Sequence, residues 1–234
     1  AMPIGRLQAT LDRILSRYDD GVVISCLPVP AFLSAMQAAT DAGWRTCYDV
    51  LDEWEEFGKT GDFVRYEAEV EEAMLDCADV ITASAESLAN KIYQSTGRRA
   101  RLIPNAGPDK PIPGCDLPQD MVIGRDGTVA YCGHLHGTWF DWDLLAQTAR
   151  DLPRVAFNII GGQPRADFPE VPNITFHGQR VYAEAMQYVQ HADVGIIPFV
   201  GGALSEAVDP IKWYDYLACG LWTVATAGLQ ELRG

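Results

Sequence analysis

Two rhythms alternate along the chain. Short β-branched runs at residues 22–25, 46–50, 80–83 and 101–103 are separated by stretches such as 31–42 with a helical pattern, which predicts βαβ units. Over residues 62–78, Phe63, Val70, Met74 and Cys77 fall near one helical face, with Glu67, Glu69, Glu71 and Glu72 largely around the others. That spacing predicts a solvated acidic helix. Between 105 and 127 the pattern stops, and Pro108, Pro111, Pro113 and Pro118 break both helices and central strands, as a linker does.

A second array follows. Strand-like runs at 128–133, 155–161, 174–176, 194–198 and 222–226 alternate with helical patterns at 141–150, 183–190 and 211–218. These strands are apolar nearly throughout, the mark of parallel strands buried on both faces. Ala78-Asp79-Val80-Ile81 is echoed by Ala192-Asp193-Val194-Gly195-Ile196, which hints at two similar domains. The expected class is α/β, with two Rossmann-like domains: a partial N-terminal one over 1–105, a linker over 106–127 and a C-terminal one over 128–234. Four strands in the first and five in the second fall short of about six in a full doubly wound domain.

Charge and composition narrow the partners. With 18 basic and 32 acidic side chains the net charge is −14, which argues against nucleic acid. At 48% hydrophobic and 21% charged the chain can bury a sizeable core, so disorder is excluded. No apolar run approaches the eighteen or so residues of a membrane span. Arg6, Asp12, Arg13 and Arg17 interrupt the opening segment, so it is no secretory signal, and a cytoplasmic location is expected. Six cysteines without a C-x-x-C pair suggest neither a zinc knuckle nor a disulfide framework, and are expected to be reduced and mostly buried.

In an open parallel sheet ligands bind beyond the carboxyl ends of the strands. In the second array those ends carry Gly133, His134, His136 and Gly137, then Gly161 and Gly162, then Gly178 and Gln179, then Phe199 with Gly201, Gly202 and Ala203. A single glycine there is usually a plain turn, but four such loops on one sheet edge suit an anion approached by backbone N–H groups, phosphate above all. Residues 205–220 read SEAVDPIKWYDYLACG. Pro210 suits a first helical turn, placing Lys212 early and Asp215 one turn on. Lysine can neutralise a phosphate and a carboxylate can take ribose hydroxyls; the alternative is a surface ion pair. His134 and His136 with Asp141 or Asp143 could also share a metal, although two histidines in a glycine-rich loop are more often ligand contacts or turn residues.

These residues resemble the GT-B glycosyltransferases of the large group that includes the family 4 retaining enzymes. Tyr131-Cys132-Gly133 followed by Trp139-Phe140-Asp141-Trp142-Asp143-Leu144-Leu145 is similar to the opening of that family's donor domain, and Pro104-Asn105-Ala106 resembles the start of its linker. Asn173 to Gly178, Ala192-Asp193-Val194 and Ile197-Pro198-Phe199 fit the middle. The most specific match is Pro210-x-Lys212-x-x-Asp215-Tyr216-Leu217-Ala218-x-Gly220. Tyr48-Asp49-Val50-Leu51-Asp52 resembles the family's YD-x-x-D; the other reading of those carboxylates is a helix cap with an acidic first turn.

The resemblance implies a transferase that takes a sugar from a nucleotide diphosphate sugar to a glycan, lipid-linked or small-molecule acceptor, as in polysaccharide biosynthesis. It implies no metal, no cofactor and retention of configuration. Lys212 would meet the donor pyrophosphate and Asp215 the ribose. Gly178 and Val181 would lie by the base, and Gly201, Gly202, Ala203 and Leu204 over the donor sugar, with Phe199 before them and Gly133, His134 and Gly161 facing them. Asp49 and Asp52 would position the reacting groups, so Asp49, Asp52 and Lys212 are the candidate catalytic residues. Asp215 stands where the family usually has Glu, Ala207 where many members have a second Glu, and a basic residue often found after the first donor-domain strand is absent. The family's opening glycine-rich acceptor loop and closing helices have no counterpart here, so a fragment of a longer enzyme is expected. Peripheral membrane contact stays open for the parent enzyme, although this chain has no evident basic patch. The alternatives are a non-catalytic nucleotide-binding or partner module, and a nucleotide-sugar epimerase on the same fold.

Overall fold

A computed structural model describes residues 4–60, 66–110, 112–135, 139–227 and 229. The chain divides into two compact units, the first built from residues up to Pro104 with Glu206–Asp209, the second from Asn105–Ser205 and the segment from Pro210 onward.

In the first unit the order is α1(Ile4–Leu15), β1(Val22–Ser25), α2(Pro30–Asp41), β2(Arg45–Val50), α3(Trp54–Thr60), α4(Ala68–Cys77), β3(Val80–Ala83), α5(Glu86–Thr96) and β4(Arg101–Leu102). All four strands are parallel, in the order β1-β2-β3-β4. Met36, Tyr48, Met74, Ile81, Leu88 and Ile92 form its core, joined by Ala207. Helix α4 is not the fully solvated acidic helix that its glutamates suggest. Glu71 turns inward and accepts hydrogen bonds from Tyr48 Oη at 2.9 Å and Tyr66 Oη at 2.8 Å, because the buried Tyr48 hydroxyl needs an acceptor. The Arg98 guanidinium donates to the carbonyls of Leu75 and Ala78, satisfying groups at the helix end.

The second unit runs β5(Gly127–Cys132), α6(Trp142–Asp151), β6(Val155–Ile160), β7(Ile174–Gly178), α7(Tyr182–Gln190), β8(Val194–Ile197), α8(Ala203–Glu206), α9(Ile211–Ala218) and β9(Trp222–Ala225). Its parallel strands lie in the order β7-β6-β5-β8-β9. The chain therefore works outward from β5 to β7 and then returns to the other side of β5, the reversal at which open α/β sheets form a ligand crevice. Phe140, Trp142, Leu145, Phe157 and Ile159 fill the core, with Phe140 edge-on to both Tyr131 and Trp142 at 4.9 and 4.7 Å.

Burial on both faces holds for β5 and β6 but not for β9. Among the described residues β9 is the last strand of the sheet, and its Trp222 is 83% exposed. The six cysteines are all free and half-buried, not mostly buried: Cys77, Cys132 and Cys219 sit at helix or strand ends, Cys47 within β2, and Cys115 in the segment before β5.

A polar clamp fixes the segment before β5. Asn158, fully buried in the middle of β6, donates to the Val122 carbonyl at 2.8 Å and accepts from the Val122 N–H at 3.0 Å. Its side-chain oxygen is also 2.9 Å from His177 Nε2. Burial holds the His177 imidazole below its ordinary pKa, in the neutral form. Removing the amide orphans two backbone groups and a ring nitrogen. Asn158→Ala is expected to cost about 2–3 kcal/mol, read by urea denaturation of the purified chain; a loss of a few tenths would show that water replaces the clamp.

Candidate functional site

The carboxyl ends of β5, β6 and β7 are laced together through their glycines. The Gly133 N–H donates to the Ile160 carbonyl and the Gly161 N–H to the Gly178 carbonyl, each at 3.0 Å. These two amides are thus already bonded within the sheet edge. Gly161 is demanded by the same closeness, because a Cβ there would stand 2.2 Å from the Gly133 carbonyl oxygen. Beyond the edge lies a cavity of about 280 Å³ lined by Cys132, Gly133, His134, Gly161, Gly162 and Arg180, among others. Burial pushes the Cys132 thiol up to about 11, so the cavity does not hold a reactive thiolate there. A hollow of about 620 Å³ at the amino ends has walls that include Val129, Leu152, Phe157 and Val224 and lies at the opposite end of the strands.

Helix α9 carries the Lys212 and Asp215 of the 210–220 motif. Pro210 is its N-cap residue, so Lys212 sits in the first turn. The Lys212 stem passes over Gly133, where a Cβ would come within 2.9 Å of Lys212 Cε, and the ammonium lies 4.7 Å above the Phe199 ring and 5.6 Å from that of Tyr131. Such ring faces stabilise a cation in a half-buried site. One turn on, Tyr182 Oη donates to Asp215 Oδ1 at 2.6 Å. Burial and the neighbouring carboxylate push the Tyr182 phenol above its ordinary pKa, so it stays protonated and serves as a donor. Tyr216, fully buried, accepts from the Cys132 N–H at 3.0 Å and so ties the helix to the end of β5.

The remaining second-unit positions fall around the same sheet edge. Gly178 ends β7 with a left-handed φ of +70°, Val181 is the N-cap residue of α7 and 66% exposed, and Phe199 pairs with Phe140 in an isolated bridge. Gly201, Gly202 and Ala203 form an exposed turn into α8; Leu204 follows in that helix, its side chain lying outside the described residues. His134 stacks on Trp139 with ring centroids 6.1 Å apart. His136 lies outside the described residues. Of its suggested metal partners, Asp141 caps α6 by accepting from Leu144 N–H at 2.8 Å, and Asp143 pairs with Arg165 at 2.8 Å.

Asp49 and Asp52 belong to the first unit. Asp49 lies within β2 and accepts from Thr82 Oγ1 at 2.5 Å across the strand pair, so it does not cap a helix. Asp52 lines a groove of about 230 Å³ with Glu53, Glu71, Glu72 and Lys91, in which the Lys91 ammonium meets Glu53. Sequence reasoning did not single out Tyr182 or Arg180. The signal for Tyr182 was its place at the start of the helix after the Gly178 loop, beside the site a ribose carboxylate would need.

Two parallel Rossmann-like sheets follow one another along the chain, the second with glycine loops and the Lys212–Asp215 helix at its strand ends, which is the architecture of the GT-B fold. Residues 126–233, most of the second unit, match the family described as glycosyl transferases group 1. Over 115 residues the chain is 26% identical to TuaH of Bacillus subtilis (strain 168), a protein assigned as a teichuronic acid biosynthesis glycosyltransferase, which covers 46% of this chain and 29% of that protein. It superposes over 99% of its length on sucrose-phosphate synthase from Thermosynechococcus elongatus, with a TM-score of 0.63, 18% identity and 64% of that chain covered. On Anabaena HepE, solved with UDP-glucose, it superposes over its whole length with a TM-score of 0.64 and 16% identity, covering 68% of that chain. The fold is that of the GT-B glycosyltransferases, and the chain spans only part of the length of these relatives. No helix among the described residues is long and apolar enough to cross a membrane.

The site's frame rests on the close approach of its loops. Gly161→Ala is expected to destabilise the second unit by about 1–3 kcal/mol, the usual cost of overpacking, measured as a shift in the urea midpoint. An unchanged midpoint would mean that the β5 and β6 loops can part at little cost.

Proposed function

We propose that this chain is the nucleotide-sugar-binding and part of the acceptor side of a glycosyltransferase. The donor, a nucleoside diphosphate sugar, lies against the carboxyl ends of the second unit's strands. The observation that carries this reading is the helix α9: the Lys212 stem in its first turn passes over Gly133, a residue that lines the cavity, with the Tyr182-held Asp215 carboxylate one turn away. A mobile ammonium suits a diphosphate, and an oriented carboxylate suits the two hydroxyls of a ribose.

In transfer, the bond between the sugar's anomeric carbon and the diphosphate oxygen breaks and its electron pair leaves with the diphosphate. Charge then grows on that oxygen, and a cation preplaced there stabilises the transition state more than the ground state. The acceptor hydroxyl bonds to the anomeric carbon, and its proton passes to the departing diphosphate, which takes it up on the oxygen freed by the broken bond. Lys212 supplies the positive charge at the leaving group, so the reaction proceeds without a divalent metal, and the family resemblance favours retention. Asp49 and Asp52 are the first unit's acidic candidates on the acceptor side. The acceptor is a glycan or lipid-linked saccharide, in keeping with a relative assigned to teichuronic acid biosynthesis.

Calorimetric titration of the chain with UDP, GDP and their sugar conjugates, with and without magnesium, tests this. Saturable binding independent of magnesium is expected, and Lys212→Ala should weaken it about 10- to 100-fold, the worth of a charged hydrogen bond, while leaving the melting temperature unchanged. Unaltered affinity in the folded variant would remove Lys212 from the site.

A further inference from the structure

The cavity has a second cation on its wall. Arg180 follows Gly178 by two residues, in the loop from β7 to α7, and lines the cavity with Gly133, His134, Gly161 and Gly162. Its side chain is 34% exposed, and one nitrogen, Nη2, lies 3.2 Å from Asp120 Oδ2. Asp120 is itself held. Its other oxygen accepts from Tyr188 Oη at 2.5 Å, and Oδ2 lies 3.4 Å from Nδ1 of His177, whose opposite nitrogen is fixed by Asn158. A guanidinium has five N–H donors in one plane, so the nitrogen turned to Asp120 orients the group without using it up.

The need for such a group follows from the charge and bonding around the cavity. The sequence places no lysine or arginine anywhere in residues 127–149, which include the whole loop after β5. In the loop after β6, Arg165 is paired with Asp143 at 2.8 Å and Asp167 at 3.2 Å. The Gly133 and Gly161 amides are bonded to carbonyls. Apart from Arg165, the loops that follow β5, β6, β7 and β8 hold one lysine or arginine, Arg180, and it lines the cavity.

We infer that Arg180 is a second phosphate contact of the nucleotide site, held in place by Asp120, and that it reads the diphosphate through its planar fork of donors. The inference rests on the nucleotide-binding reading above and adds a residue to it. Arg180 meets phosphate oxygens in paired fashion, where Lys212 acts as a point charge. Asp120, held by Tyr188, is a positioning residue that acts through it.

The test is calorimetry of wild type, Arg180→Gln and Arg180→Lys with UDP, GDP and the corresponding nucleosides uridine and guanosine. For the nucleoside diphosphate that the wild type binds, Arg180→Gln is expected to weaken affinity about 10- to 100-fold and to lessen its salt dependence, while nucleoside affinity stays the same. Arg180→Lys keeps a charge opposite Asp120, and so guards the fold; it should lose roughly 3- to 10-fold, since the fork is lost and the charge retained. Diphosphate affinity equal to wild type in either folded variant overturns the inference and leaves the nucleotide site standing. A wild type that binds neither nucleotide overturns the nucleotide reading itself, and this inference with it.

Discussion

The second unit depends on one constraint, the placement of β5 at the centre of five parallel strands with the chain leaving it in both directions. Because all five strands run the same way, every strand-to-helix turn comes out on one edge, and the reversal at β5 opens a crevice there. Helix α9 is then locked onto that edge by a single buried hydroxyl, Tyr216 Oη, which accepts from the Cys132 N–H. That bond and the Tyr182–Asp215 hydrogen bond, together with packing, set the height of Lys212 over Gly133. Without the Tyr216 hydroxyl the buried backbone N–H of Cys132 would lack a partner, at a cost of about 1–3 kcal/mol.

The glycines at this edge have two separate tasks. Gly133 and Gly161 let two loops and a lysine stem approach one another, and their amides close the sheet edge rather than face a ligand. In the proposed reading, anion recognition accordingly falls to side chains. A chain of net charge −14 can bind an anion only where positive groups are concentrated and negative ones are held away or already paired. Asp143, Asp141 and Asp120 are each engaged, with Arg165, an α6 amide and Tyr188 respectively, so the acidic residues around the crevice are used to build it.

Much of this was legible in the sequence. The strands at Val22–Ser25 and Val80–Ala83, and the helix Ile211–Ala218, fall where the hydrophobic rhythm puts them, because β-branched runs and a proline start are local signals. The family pattern over 210–220 led to the right helix. What stayed hidden depends on contacts distant in sequence. Glu71 is one acidic residue among several until Tyr48 and Tyr66 are folded onto it. Arg180 looks like any exposed loop residue until the segment before β5 brings Asp120 beside it.

In the proposed reading one edge of one sheet is the ligand site. Amide hydrogen exchange of the chain, with and without a saturating nucleoside diphosphate sugar, tests it most directly. Slowed exchange confined to residues 131–135, 160–163, 178–183 and 199–216 is the predicted result. Protection at the amino ends of the same strands, around 123–129 and 193–194, or no change anywhere in the second unit, would contradict it.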